Sequence, residues 1–282
     1  MTAARTVYID GVALWAPALP DWAAARAALR GEATPASTPT PATAVRRPAP
    51  ALLAANERRR APDSVLLALE VASAAVADSG HDAAALASVF TSAHGDLPII
   101  DALCTTLATN PLLLSPTRFH HSVHNAASGY WAIASGSRAA STALAAFDHS
   151  FAAGLLEAAS LCACDGEPVL LVACDTAATG GLASVNRSRG LLALALVLAP
   201  RPGPCSRWSL QWQAVAAPAQ APGLQSQAAR DLASNAMADA LPLAQALAFE
   251  TAASLALPLG PALHLALGVM PCDAGRQAGA AA

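Results

Sequence analysis

Two unbroken apolar runs constrain the fold of this chain more than any other feature. Residues 168–177 read PVLLVACDTA and residues 191–200 read LLALALVLAP. Each run has the length of one β-strand and offers no polar face, which is typical of a strand covered by helices on both sides. Helical patterns lie between such runs along the chain. The sequence therefore predicts an α/β fold, layered α/β/α, with a mostly parallel mixed sheet.

The pattern of strands and helices extends along most of the chain. Residues 7–17 (VYIDGVALWAP) read as a buried strand, and residues 63–80 read as a helix that ends at a glycine. With 282 residues, of which 55% are hydrophobic, the chain can bury a substantial core. We predict one domain over residues 1–272. It includes an extended loop rich in proline, threonine and alanine over residues 32–50, and a flexible tail follows over residues 273–282.

The charge and hydropathy patterns exclude nucleic-acid and membrane proteins. The formal net charge is −3 and only 12% of the residues are charged, so no basic surface is expected to attract nucleic acid. The apolar stretches are too short, or over residues 241–271 too interrupted, to supply the roughly 20 residues of a membrane-spanning helix. The N-terminal sequence MTAARTVYIDGV lacks the apolar core of a signal peptide. We therefore expect a cytoplasmic protein.

The cysteines and histidines do not form a metal-binding pattern. Cys162 and Cys164 make a CxC pair, but no second close pair completes a zinc framework. Buried apolar cysteines are the interpretation that the sequence favours. The HHxxH segment at residues 120–124 lacks a clear carboxylate or thiolate partner. We predict no metal site and no cofactor.

Residues 142–159 predict a strand, a sharp turn and a helix in direct succession. The apolar strand covers residues 142–147, the turn covers residues 148–150, and the following FAAGLLEAA has the composition of a helix. The N-terminus of such a helix can lower the pKa of a cysteine through its free amides and its dipole. This turn contains no cysteine. We expect Asp148 to cap the helix, with Ser150 as a second candidate.

The adjacent Asp148, His149 and Ser150 are the three residue types of a hydrolase triad. Consecutive side chains diverge, however, whereas a triad requires its base within about 3 Å of the nucleophile and its acid beyond the base. The GxSxG segment of α/β-hydrolases is also absent from the sequence. A working triad at this turn is therefore not the favoured interpretation.

Four segments carry a resemblance to a known family: LLAANERRRAPDSVLLALEVA, SPTRFHHSVHNAASGYWAIASGSRA, SFAAGLLEA and LALPLGPALHLAL. They resemble β-ketoacyl synthases, and in particular the half-length proteins described as ketoacyl-synthase-like N-terminal domains or chain-length factors. The resemblance implies a thiolase-like fold, mainly its N-terminal half. Residues 138–141 are similar to the RGPS of condensing enzymes, which puts the nucleophile position at about Asp148, flanked by Phe147, His149 and Ser150. The HGT and GxNxH contexts of the two catalytic histidines do not occur after this turn, so we assign no catalytic residue.

The resemblance implies a chain that carries out no chemistry by itself. It would be a chain-length-factor-like partner of a catalytic β-ketoacyl-ACP synthase and would shape the acyl tunnel in fatty acid or polyketide-type biosynthesis, such as that of aryl polyenes. The two subunits would form a heterodimer through residues 141–147. The residues expected at the interface or in the tunnel wall are Tyr130, Trp131, Ser141, Phe147 and His149.

Three further interpretations remain open at this point. Arg58, Arg59 and Arg60 form a basic cluster that could meet the acidic surface of an acyl carrier protein. The chain could instead be an acyl-thioester hydrolase or acyltransferase that uses His149 or Ser150. It could also be a non-enzymatic, homodimeric binding protein.

Overall fold

The computed structural model describes residues 4–32, 47–186 and 188–272. Most of the predicted loop at 32–50 and the whole predicted tail at 273–282 lie outside the described residues. The strands are β1 (Arg5–Trp15), β2 (Ala87–Thr91), β3 (Ser141–Leu144), β4 (Val169–Asp175), β5 (Leu192–Ala199), β6 (Trp208–Val215), β7 (Ala253–Gly260) and β8 (Leu263–Pro271). The α-helices are α1 (Trp22–Leu29), α2 (Ala55–Arg60), α3 (Asp63–Ser79), α4 (Leu97–Thr109), α5 (Pro116–Ser122), α6 (Ala126–Ser135), α7 (Ser150–Asp165), α8 (Gln227–Leu232) and α9 (Leu241–Phe249). Within these ranges no helix has both the length and the hydropathy needed to cross a bilayer.

The strands form one mixed sheet in the order β3-β2-β4-β5-β1-β6-β8-β7. β2 pairs in parallel with β3 and with β4, whereas the other neighbouring pairs in the described part of the chain are antiparallel. The predicted α/β class and mixed sheet are confirmed, but the predicted parallel majority is wrong. A strand covered on both faces is apolar whatever its direction, so the apolar run of β5 did not indicate its antiparallel pairing with β4 and β1.

Helices cover both faces of the sheet, as predicted. Successive residues of a strand point to opposite faces. Phe90 and Leu170 therefore pack in one core with α3 and α6, whereas their neighbours Val89 and Leu171 pack in another core with α7 and α9. The layers are helix, sheet and helix, and the predicted α/β/α order is confirmed.

Strand β1 contains a β-bulge at Asp10. Its pairing with β5 shifts register between Ile9 and Gly11, so Ile9 and Val12 belong to the same core although they are three residues apart. The bulge takes Asp10 out of the regular alternation of the strand. Gly11 lets α3 approach closely, because a Cβ at this position would lie 2.1 Å from the carbonyl oxygen of Ala75.

The two edges of the sheet differ in their capacity to pair with another strand. At one edge, β7 carries Pro258 next to a register shift, and proline and bulges both prevent a further strand from adding. At the other edge, the carbonyl groups of Ala140 and Leu144 accept hydrogen bonds from the β2 segment. Ser141 and Ala143 alternate with them, so their backbone groups point away from the sheet. No described strand pairs with the outer side of β3, so this edge is open in the part of the chain that the structure describes.

Candidate functional site

The predicted succession of strand, sharp turn and helix is present in the structure. β3 is followed by a 3₁₀ turn over Phe147–His149, and α7 begins directly at Ser150. Phe147 has a φ of +52°, a left-handed conformation that costs a bulky residue roughly 1–3 kcal/mol and is typical of functional turns. Its side chain is 59% exposed, and its ring meets the ring of His94 edge-on with 5.2 Å between the centroids.

The hydroxyl of Ser150 is fully used inside the turn. It donates to the carbonyl oxygen of Phe147 at 2.7 Å and accepts from the backbone amide of Ala146 at 3.0 Å. The side chain is completely buried. Because a nucleophile needs an accessible oxygen next to a base, this geometry argues against the predicted alternative in which Ser150 serves a hydrolase or acyltransferase.

The first free amides of α7 bind a carboxylate from a distant segment. Asp239, which lies two residues before the start of α9, accepts a hydrogen bond from the amide of Phe151 at 3.0 Å. The residue that precedes the helix, His149, provides no side-chain cap. The cap predicted from Asp148 or Ser150 is therefore wrong. A carboxylate at a helix N-terminus is stabilised by the helix dipole, so Asp239 already occupies the position that favours an anion.

A cleft of about 1030 Å³ lies beside this helix terminus. His94, Asp148 and Asp239 contribute titratable groups to its wall. The remaining polar residues of the lining are Asn186, Ser188, Arg189, Ser234 and Asn235. Asn235 is structural, because its amide group donates to the backbone carbonyl of Arg189 at 3.1 Å. His94 belongs to the loop that follows β2 and lies more than 50 residues before the turn in the sequence.

Burial raises the pKa of two acids at this end of the sheet. The pKa of Asp239 rises from 3.8 to about 7 mainly because the group is desolvated, although the amide of Phe151 opposes the change. Desolvation also raises the pKa of Asp175, at the end of β4, against hydrogen bonds from the amide of Ala93 and the hydroxyl of Ser92. Near neutral pH, Asp239 therefore exists in both its charged and its neutral form.

None of the cysteines in the described residues belongs to the turn. Cys162 and Cys164 are at the far end of α7. Burial raises the pKa of the Cys162 thiol to about 12 and also raises the pKa of Cys174, which makes both poor nucleophiles. Buried, apolar cysteines are thus confirmed at these two positions, whereas Cys164 and Cys104 are exposed. In the part of the chain that the structure describes, no group of three histidine, cysteine or acidic side chains could hold a metal ion.

The histidines that the sequence singled out bind separate partners. His121 shares a hydrogen bond of 2.9 Å with the hydroxyl of Tyr130, and His124 contacts a backbone carbonyl next to β2. His264 lies in β8, and its Nδ1 is 2.8 Å from the carbonyl oxygen of Ala217. These rings do not converge on one point.

The structure separates the residues predicted at an interface or tunnel wall. Trp131 is only 2% exposed and packs in the core that contains α3. Ser141 and Phe147 are exposed, while Tyr130 and His149 are partly buried. The most exposed apolar side chain of α6 is Ile133, at 85%. Adjacent helical positions point about 100° apart, which explains why Trp131 and its neighbour differ.

An apolar groove of about 670 Å³ runs between α2 and α6. Leu52, Val123 and Ile133 contribute exposed apolar side chains to it. Arg59 and Arg60 end the adjacent helix α2 and are exposed. The residue of α2 that lines the groove is Glu57, and the lining includes none of the three arginines.

Arg58 differs from the other two arginines of α2. Its guanidinium lies 3.4 Å from the carbonyl oxygen of Pro50 and 3.5 Å from that of Ala49. It is partly buried. Arg58 therefore holds the segment before α2 in place, and Arg59 and Arg60 are the more accessible charges.

Solved structures share this fold at low sequence identity. A chain of the complex between the ketosynthase ApeO and its chain length factor ApeC from Xenorhabdus doucetiae aligns with a TM-score of 0.70 and 21% identity, over 93% of this chain and 99% of that one. A chain of AntDE:AntF, a type II PKS acyl-carrier protein in complex with its ketosynthase, aligns with a TM-score of 0.68 and 13% identity, over 96% of this chain and 100% of that one. A chain of the ishigamide ketosynthase/chain length factor aligns with a TM-score of 0.64 and 14% identity, over 95% of this chain and 99% of that one. The predicted thiolase-like fold is confirmed.

The sequence also matches a family model. No curated protein matches the chain. The model described as the β-ketoacyl synthase N-terminal domain, however, covers residues 31–257. This range includes β3, the turn at Phe147–His149 and α7. The chain belongs to the β-ketoacyl synthase N-terminal domain family.

Proposed function

We propose that this chain is a non-catalytic, chain-length-factor-like partner of a β-ketoacyl-ACP synthase. In this role it helps to shape the acyl tunnel in fatty acid or polyketide-type biosynthesis, such as that of aryl polyenes. The similar structure from X. doucetiae contains a ketosynthase and its chain length factor, which supports an assembly of this kind. The role implies a cytoplasmic location and requires no cofactor in this chain.

The observation that carries the proposal is the occupied N-terminus of α7. A condensing nucleophile has to be a thiolate, and a helix terminus helps to stabilise one. Here the turn contains no thiol, the hydroxyl of Ser150 is bonded on both sides, and the carboxylate of Asp239 binds the amide of Phe151. The turn therefore has the shape that would present a nucleophile, but it contains no thiol to act as one.

The open edge of β3 is the proposed pairing surface. Contacts run from α4 through α5 and α6 to β3, and these elements carry exposed apolar side chains. The exposed large apolar residues between α4 and α7 are Leu107, Leu112, Leu113, Phe119, Val123, Ile133 and Phe147. Leu112 is 94% exposed. Since large exposed apolar patches mark interaction surfaces in proteins, we assign this face and the β3 edge to the ketosynthase.

Co-expression with a full-length ketosynthase encoded beside this chain tests the proposal. We expect the two proteins to co-purify at a one-to-one ratio and the chain alone to show no condensing or thioester-hydrolysing activity. A stable homodimer that ignores the ketosynthase would instead support the non-enzymatic homodimer. Hydrolysis of an acyl thioester by the purified chain, lost on changing His149, would contradict the proposal.

Phe147 is the best-placed tunnel-wall residue. It is exposed, it is fixed by the strained turn, and its ring packs against His94. Replacing Phe147 with alanine in the assembled complex removes a ring from the wall, and we expect longer products because excluded volume sets how far a chain can grow in a packed apolar pocket. Mass spectrometry of the products measures the change in length.

Met270→Ala is the matched control for Phe147→Ala. Met270 is an exposed apolar side chain at the end of β8, on the far side of the sheet order from β3. We expect unchanged product length and unchanged assembly in this variant. Equal product lengths for Phe147→Ala and the wild type, with normal assembly, would remove Phe147 from the tunnel wall.

Arg59 and Arg60 are the proposed contacts for an acyl carrier protein. Both are exposed at the end of α2, and two exposed positive charges suit the acidic surface of a carrier protein. Replacing both with glutamate should slow turnover of the carrier-bound substrate by the complex at low salt, by roughly tenfold, and the difference should shrink at high salt. Steady-state rates at two ionic strengths measure this.

The matched control for these arginines is Arg5→Glu, which changes an exposed charge at the start of β1. This variant should keep the wild-type rate at both salt concentrations. If the double variant at Arg59 and Arg60 also keeps the wild-type rate at low salt, the carrier protein does not dock at these two arginines.

A further inference from the structure

A second pocket lies at the opposite end of the sheet from the α7 terminus. It has a volume of about 440 Å³ and is lined by residues that precede β4 and by residues of the loop between β5 and β6. The α7 cleft is lined by residues that follow β4. β4 has seven residues, which at about 3.3 Å per residue puts roughly 20 Å between the two sites. The second pocket therefore has no part in the proposed tunnel.

A carboxylate and an imidazole form a pair in this pocket. Asp10, at the bulge of β1, is only 4% exposed. Its Oδ2 lies 2.9 Å from Nε2 of His81, and its Oδ1 accepts a hydrogen bond of 2.5 Å from the hydroxyl of Ser206. When Nε2 of His81 carries the proton and donates to Asp10, the other ring nitrogen, Nδ1, is left as a proton acceptor.

A thiol borders the same pocket next to this pair. The sulfur of Cys205 lies 3.7 Å from the position that a Cβ on Gly80 would occupy, and Gly80 directly precedes His81. Cys205 is partly accessible. Its position is fixed, because the hydroxyl of the following residue, Ser206, is held by Asp10 and accepts from the amide of Gly203.

From this geometry we propose that Cys205 is a nucleophilic thiol that His81, oriented by Asp10, activates as a general base. The order of nucleophile, base and orienting carboxylate is the one that such catalysis requires. Hydrogen bonds between a nucleophile and its base often form only when the substrate is bound. In the free chain it is therefore sufficient that Cys205 and His81 line the same pocket. Glu167 and Arg201 also line the pocket, so that one acidic and one basic side chain lie at its rim.

The substrate class that fits this site is a small acyl thioester. The sulfur of Cys205 attacks the carbonyl carbon while its proton passes to Nδ1 of His81. The bond from the carbonyl carbon to the original sulfur then breaks, and the released sulfur takes the proton from His81. The acyl group ends on Cys205 and a free thiol leaves, so no oxidant, reductant or further reactant is needed.

Site-resolved acylation of the full chain tests the proposal. The chain is incubated at neutral pH with the butyryl thioester of N-acetylcysteamine, and peptide mass mapping follows the label at each cysteine. Cys104 is the internal control because it is exposed on α4. We expect Cys205 to react at least about tenfold faster than Cys104, a conservative figure for general-base assistance.

His81→Gln separates base catalysis from simple accessibility. This change should lower the rate at Cys205 to that of Cys104 and leave Cys104 unchanged, and a thermal melt checks that the variant is folded. Retention of the faster rate by the folded His81→Gln protein overturns the proposal. Equal rates at Cys205 and Cys104 in the wild type also overturn it, and this comparison needs no variant. Neither result bears on assembly with a ketosynthase.

Discussion

Replacing Ala143 with proline is expected to weaken assembly with the ketosynthase by about 30-fold and to leave the chain folded. Ala143 directs its backbone groups away from the sheet, because its neighbour Leu144 faces β2. Proline removes the outward N–H and leaves an acceptor of the partner unpaired in the interface, a loss of about 2 kcal/mol. Binding of the purified chains, measured by titration calorimetry, gives the change.

Thr142→Pro is the matched control for Ala143→Pro. Thr142 alternates with Ala143 and faces β2, so proline at this position breaks a hydrogen bond inside the sheet and should lower the melting temperature of the isolated chain. Ala143→Pro should not. If Ala143→Pro assembles with wild-type affinity, the β3 edge is not the pairing surface, whatever other contacts the two subunits make.

Asp239→Asn is expected to make the chain more stable than the wild type at high pH and equally stable at low pH. The pKa of Asp239 is raised from 3.8 to about 7 in the folded chain. The unfolded chain releases this proton first, so the stability that the proton provides is complete below pH 4 and is lost as the pH rises to about 7. At 1.36 kcal/mol per unit, the loss reaches about 4 kcal/mol in total. Asparagine keeps the acceptor for the amide of Phe151 and has no proton to lose.

Denaturant unfolding at pH 5 and pH 8 measures this effect. The free energy of unfolding of Asp239→Asn, relative to the wild type, should rise by about 2–3 kcal/mol between the two pH values. Asp148→Asn is the control, since Asp148 lines the same cleft and is exposed. A constant difference between Asp239→Asn and the wild type over this range would show that Asp239 is charged throughout.

Local patterns in the sequence predicted most of the fold. The apolar run at residues 168–177 predicted a strand covered on both sides, and every residue of β4 is buried. The helix predicted to end at Gly80 does so, with Gly80 in the left-handed conformation that ends many helices. These signals depend on residues close together in the chain, and a single sequence contains them in full.

Strand directions and distant pairs could not be predicted in the same way. β7 was missed because Pro258 argues against a strand, and only its position at a sheet edge makes the proline tolerable. Asp239 was missed because the amide that it binds is 88 residues away. The residues nearest the helix, Asp148 and Ser150, were the better candidates by propensity, and tertiary packing decided otherwise.

The unequal edges of the sheet determine how large an assembly can grow. A sheet with two receptive edges can add strands at both ends and extend without limit into fibres. Here Pro258 and the register shift of β7 stop growth at one end, while β3 accepts a neighbour at the other. Among the described strands β3 is the receptive end, so a row of paired sheets cannot continue through this one.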